Sequence, residues 1–150
     1  MAATVNNVQQ ILIAEDDEDD FLLFREAVRD YQDRLQLRWV QDGDALMQLL
    51  KDAAANLPQL IFLDINMPRR NGFECLSDIR QDPRLKKLPV IIYSTSDDSA
   101  LVSWMYNSGA HLFLHKPSEF HRLKAAVQRA VDMDWTSRTP YPPMEEFMLG

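Results

Sequence analysis

A single cysteine and only four glycines stand among the 150 residues of the chain. The lone Cys75 excludes an internal disulfide and fits a reducing cytosol. Basic residues are scarce as well. The 16 lysines and arginines face 23 acids, a formal charge of −7, which argues against a nucleic-acid surface. No apolar run approaches membrane-spanning length, and residues 1–7 lack the charged and apolar regions of a signal peptide. Internal repeats and low-complexity tracts are missing too. A soluble, cytoplasmic protein is expected, with neither a membrane nor a nucleic acid as partner. An apolar content of 46% at this length allows one domain with a sizeable core and a short appendage.

What the chain does have is alternation. Strand candidates span residues 10–14, 37–41, 60–64, 90–94 and 112–115, three of them nearly all apolar, as strands covered on both faces should be. Helical spacing fills the gaps. Phe21, Phe24, Ala27, Val28 and Tyr31 form the first stripe, followed by residues 44–54, 73–81, 99–107 and 119–131. Pro58, Pro89 and Pro117 punctuate the joints. Five repeats of strand then helix predict an α/β fold, a doubly wound five-stranded parallel sheet with five helices and right-handed crossovers. The pattern then breaks, and three prolines within residues 140–143 exclude a regular helix. Residues 133–150 read as a C-terminal tail, too short for an output domain. Its Trp135, Tyr141, Phe147 and Met148 are apolar for a linker, and docking on the body or on a partner, a dimer included, is expected over the alternative of disorder.

The acids are placed as pointedly as the strands. Glu15, Asp16 and Asp17 follow Ile11-Leu12-Ile13-Ala14, and Asp64 ends Leu60-Ile61-Phe62-Leu63. In a parallel sheet these C-terminal strand ends lie side by side, where open α/β folds bind their ligands. Three or four carboxylates gathered there repel one another unless a cation or a proton neutralises them. A hard cation such as Mg²⁺ takes few protein carboxylates and keeps positions open for phosphate oxygens. An unprotonated Asp64 beside it could act as a nucleophile on a phosphoryl group. Such chemistry needs positioning and charge neutralisation, and the other strand ends offer both. Ser94 closes the fourth strand and could hydrogen-bond a phosphoryl oxygen. Lys116 closes the fifth, with Pro117 behind it implying a fixed turn, trans or cis.

Taken together, Asp16-Asp17 after Ile-Leu-Ile-Ala-Glu, Leu-Asp64-Ile-Asn-Met-Pro68, Asn71-Gly72, Tyr-Ser94-Thr-Ser and Lys116-Pro117 resemble a response-regulator receiver domain over residues 9–132. The resemblance implies a flavodoxin-like strand order of 2-1-3-4-5, with Asp64 as phosphoacceptor. It implies Mg²⁺ held by Asp16, Glu15, Asp64 and the backbone carbonyl of Asn66. Ser94 would be the hydroxyl that moves toward the phosphoryl group, Lys116 the signalling lysine, and Phe113 the aromatic switch. The donor would be a histidine kinase's phosphohistidine. The output would be protein–protein contact of the α4–β5–α5 face with an unknown downstream protein, a homodimer being an option. Asp-Pro-Arg-Leu-Lys-Lys-Leu-Pro at residues 82–89 and the Trp-plus-proline tail resemble bacterial single-domain regulators partnered with phytochrome kinases. Such a protein is a phosphoacceptor that assists its own phosphorylation and dephosphorylation, not an enzyme in the ordinary sense. Departures from the usual pattern are Glu15 for Asp, Ser94 for Thr, and Thr95 for a small residue. Asn66 and Ser96 supply no acid to orient a hydrolytic water, which implies a phosphoryl lifetime longer than seconds.

Blander readings stand beside these. Glu18, Asp19 and Asp20 read as a solvated helix start, and Asp17 is open between capping and metal binding. An EF-hand over Asp16, Glu18 and Asp20 fails, because Phe21 and Ala27 stand where Gly and Glu are needed. Phe62, Trp39 and Phe73 read as core and Cys75 as helix packing, while His111, His115 and His121 lack metal-ligand spacing. Trp104 and Tyr106 are open between core and partner contact. Two other functions compete. An aspartate-nucleophile phosphohydrolase of haloacid dehalogenase type wants an acid where Asn66 stands. A flavodoxin-like nucleotide carrier wants a Gly/Ser/Thr-rich loop where the acids stand.

Overall fold

Parallel strands need crossovers, and the chain supplies a helix for each. The computed structural model describes residues 9–52, 56–135 and 142–149. Five strands, β1 (Gln9–Ala14), β2 (Leu35–Val40), β3 (Leu60–Asp64), β4 (Val90–Ser94) and β5 (Leu112–His115), alternate with five helices. These are α1 (Glu18–Ala27), α2 (Gly43–Asp52), α3 (Gly72–Gln81), α4 (Ser99–Asn107) and α5 (Phe120–Asp132). Every residue of β3 and β4 is buried because helices cover both faces of the sheet. One apolar layer joins Leu46, Leu50, Leu76, Ile79 and Met105 to the sheet, and the other joins Phe24, Ala27, Leu123 and Val127. Cys75 lies fully buried in the first layer, as its helix-packing reading requires, and burial pushes its thiol up to about 12.

Helix starts follow from local chemistry. Asp17 caps α1 by accepting from the Asp20 N–H at 3.2 Å, which settles its role as a cap. Asn71 and Glu74 close a reciprocal capping box on α3. Asp98 accepts from the Ala100 N–H at 2.9 Å at the start of α4.

The sheet has six strands, in the order β2-β1-β3-β4-β5-β6, not the five that the sequence pattern predicts. The addition is β6 (Met148–Leu149), which pairs parallel to β5 with Phe113 opposite Met148 and Leu114 opposite Leu149. Without it β5 would be an edge strand with unpaired backbone groups. The Phe113 N–H donates instead to the Phe147 carbonyl at 2.9 Å. Phe147 and Leu149 are buried, so apolar burial reinforces the pairing. Residues 142–149 of the tail thus dock on the body of their own chain. Tyr106 helps by donating its hydroxyl to the Pro142 carbonyl at 3.0 Å and packing edge-on against Phe147. Tyr141 lies outside the described residues.

Candidate functional site

Strand β1 sits between β2 and β3, so the crossovers on its two sides lead in opposite directions and leave a crevice at the C-terminal ends. The acids are there. One carboxylate oxygen from each of Glu15, Asp16 and Asp64 lies within 4.8 Å of the others. Glu15 is fully buried, Asp64 is 5% exposed, and Asp16 faces solvent. Glu15 extends the β1 ladder by one bond, its N–H donating to the Val40 carbonyl at 3.0 Å, and its side chain accepts from the Asp17 N–H at 3.1 Å. Asp64 Oδ1 accepts from the Asn66 N–H at 3.3 Å. The close seating of α3 on this edge depends on Gly72, where a Cβ would come within 2.5 Å of the Asp64 carbonyl oxygen.

Lys116 reaches into the same crevice. Its Nζ donates to Glu15 Oε1 at 2.6 Å and to Asp20 Oδ2 at 2.9 Å, and stands 3.8 Å from Asp64 Oδ2. It also lies 4.7 Å from the centre of the Tyr93 ring. The Lys116 N–H donates to the Ser94 carbonyl at 2.7 Å, which links the ends of β4 and β5. The peptide bond before Pro117 is trans, as are all others among the described residues. Ser94 is buried, and its hydroxyl accepts from the Ser96 N–H at 3.0 Å.

The site is electrostatically unfinished. Burial, with Asp64 beside it, pushes the Glu15 carboxyl up to about 8, although Lys116 pulls the other way. Burial also raises Asp64, against the lowering pull of its Glu15 hydrogen bond and of Lys116. Burial opposes the charge on Lys116, but the surrounding carboxylates outweigh it and hold the ammonium above its usual range. One lysine does not neutralise this many acids, and the raised Glu15 carboxyl holds a proton where a cation could replace it. An all-oxygen donor set with one exposed member fits a hard divalent ion that keeps positions open to solvent.

The predicted residues therefore converge, Asp64, Glu15 and Asp16 with Lys116 among them and Ser94 on the next strand end. Phe113 lies fully buried on β5, its ring 6.1 Å from that of Phe147. Asp20 belongs to the site, contrary to its reading as a solvated helix start, because the first turn of α1 aims it at Lys116. No spacing in the sequence signals this, because Asp16 lies before the Asp17 cap and outside the helix that carries Asp20. Trp39 is half-buried rather than simple core, and its indole donates to the Glu15 carbonyl at 2.7 Å. Phe73 is also only partly buried and stacks on Trp104 at 4.2 Å, with Trp104 58% exposed.

Known proteins place this arrangement. The response regulator receiver domain profile matches residues 11–128. Response regulator Rcp1 of Synechocystis is 30% identical over 146 residues, covering 95% of this chain and 99% of that protein. The crystal structure of the phosphorylated cyanobacterial phytochrome response regulator RcpA superposes with a TM-score of 0.78 at 29% identity, over 91% of this chain and 99% of that one. The Mn²⁺-bound form of Rcp1 superposes with a TM-score of 0.74 at 29% identity, over 90% and 99% of the two chains. Six-stranded parallel sheet, crevice acids and lysine together agree with these likenesses: the chain belongs to the response regulator receiver domain family.

Proposed function

We propose that the chain takes a phosphoryl group from the phosphohistidine of a histidine kinase onto Asp64, in a step that requires Mg²⁺. The observation that carries this reading is Asp64 itself, nearly buried at the end of β3, clustered with Glu15 and Asp16 and 3.8 Å from the Lys116 ammonium. An Asp64 carboxylate oxygen attacks phosphorus, the phosphorus–nitrogen bond breaks, and the imidazole leaves with the electron pair. Glu15, Asp16, Asp64 and the backbone carbonyl of Asn66 would hold the ion. Once bound, it supplies charge neutralisation for the acids and the incoming phosphoryl oxygens. The Asn66 N–H orients the nucleophile by its bond to Oδ1. Lys116 offers positive charge to the phosphoryl group, and the buried Ser94 hydroxyl a hydrogen bond.

Output runs through protein contacts of α4, β5 and α5, where Ser94 and the buried Phe113 report the state of Asp64. The exposed Trp104, stacked on Phe73 of α3, offers an anchor on the neighbouring α3–α4 side for a downstream protein or a second copy. The likeness to RcpA, a phytochrome response regulator, supports a bacterial phytochrome as the kinase, and the single free, buried Cys75 fits the reducing cytoplasm as the place of action. Asn66 leaves the phosphohydrolase reading without its leaving-group acid. The reading is tested with a labelled, autophosphorylated bacterial phytochrome kinase. Label should pass to this chain with Mg²⁺ present and fail to pass to Asp64→Asn or in EDTA. Transfer to Asp64→Asn at an undiminished rate would refute it.

A further inference from the structure

We infer that Trp39 is a positioning residue for the divalent-cation site, acting through the main chain of Glu15. This rests on the metal reading of the acids given above. Strands β1 and β2 stay in register as far as Ala14 opposite Val40, and one further ladder bond runs from the Glu15 N–H to the Val40 carbonyl at 3.0 Å. The next acceptor along, the Glu15 carbonyl, takes the Trp39 indole N–H at 2.7 Å. Both polar groups of the Glu15 backbone are thus tied to consecutive residues of β2. The Glu15 carbonyl and the Asp16 N–H belong to one rigid peptide plane. Holding that carbonyl fixes the direction in which the chain turns out of the sheet toward Asp16, the exposed acid of the trio.

The indole is itself held. It stacks face to face on Phe21, with ring centres 4.1 Å apart and 4° between the planes. Phe21 follows Asp20, which bonds Lys116, so the stack also joins the start of α1 to the end of β2. A partly buried tryptophan needs an acceptor for its one N–H. Here that acceptor is the peptide between two carboxylates that must converge on one ion. The indole thereby supports the ligands in the way outer hydrogen-bond partners support metal sites generally.

Trp39→Phe separates the two roles, since it keeps an aromatic ring on Phe21 and deletes the donor. With Mn²⁺ as the probe, electron paramagnetic resonance should show affinity weakened about ten-fold, with the melting temperature little changed. Trp135→Phe, which removes an indole bonded to the Ala130 carbonyl on α5, should bind Mn²⁺ like the unmodified chain. Equal affinity in Trp39→Phe overturns the inference while leaving the metal site standing. Failure of the unmodified chain to bind Mn²⁺ overturns both. Should Trp39→Phe not fold, the ¹⁵N-labelled indoles of the unmodified chain decide, assigned with Trp104→Phe and Trp135→Phe. The Trp39 resonance should shift on Mg²⁺ addition with the midpoint found by calorimetry, and an unmoved resonance overturns the inference.

Discussion

Glu15 shows how far a single position can be read and where the reading stops. Its place after an apolar strand marks it as a buried acid, and its neighbours determine what burial costs. In the folded, metal-free chain its carboxyl keeps a proton up to about pH 8, against 4.5 for an unperturbed glutamate. The folded state therefore binds one more proton than the unfolded state between those values. Its stabilising effect is fully present below the unfolded value and is lost as pH rises through the folded one. In EDTA the melting temperature should fall from about pH 5 to about pH 8, and Mg²⁺ should flatten that slope by taking the proton's place. A melting temperature that rises across this window would contradict the account. Asp64 was legible for the same reason as Glu15, being an acid at the end of an apolar run, whereas Lys116 by itself reads as a surface lysine and was legible only through the motifs it is paired with. Asp20 was not, because an acid in the first turn of a helix has a sufficient explanation in the helix dipole. Its pairing with Lys116 depends on where α1 starts over the sheet, which spacing alone leaves open.

At the scale of elements, the boundaries of β3, β4, β5 and α4 agree with the sequence pattern because Pro and polar residues punctuate them. The sixth strand was not legible. It is two residues long, too short for periodicity, and the preceding prolines signal only the end of regular structure. What makes it a strand is the open edge of β5, a tertiary fact. Phe147 should be its anchor, since it is fully buried against Phe113 and Tyr106. Phe147→Ala should cost about 3 kcal/mol in urea denaturation, or less if the tail undocks first. No measurable cost would show that β6 contributes nothing to the fold. The Asn71-Gly72 pair was legible as a motif but not in its cause, which is the approach of α3 to the end of β3. Gly72→Ala should destabilise by about 2 kcal/mol, because the new methyl group meets backbone that cannot rotate away. Unchanged stability by the same assay would remove that explanation.

For the whole molecule, the sequence specifies a great deal with few signals. Alternating strand and helix patterns give a doubly wound parallel sheet, and that topology brings residue 15 beside residue 64, while Lys116 follows β5, two strands beyond β3, and meets both through its long side chain. The net charge of −7 is partly a local matter, with six acids in a row at the crevice that also receives Lys116. Which surface carries the output depends on the edge where β6 lies and on side chains such as Trp104 that composition does not distinguish from core. The central claim is that Asp64 accepts the phosphoryl group with a divalent ion bound beside it. Its most direct test is the intact mass of the chain after incubation with acetyl phosphate and Mg²⁺. The account predicts one added phosphoryl group, absent in Asp64→Asn and absent when EDTA replaces Mg²⁺. An adduct of the same size on Asp64→Asn would contradict it.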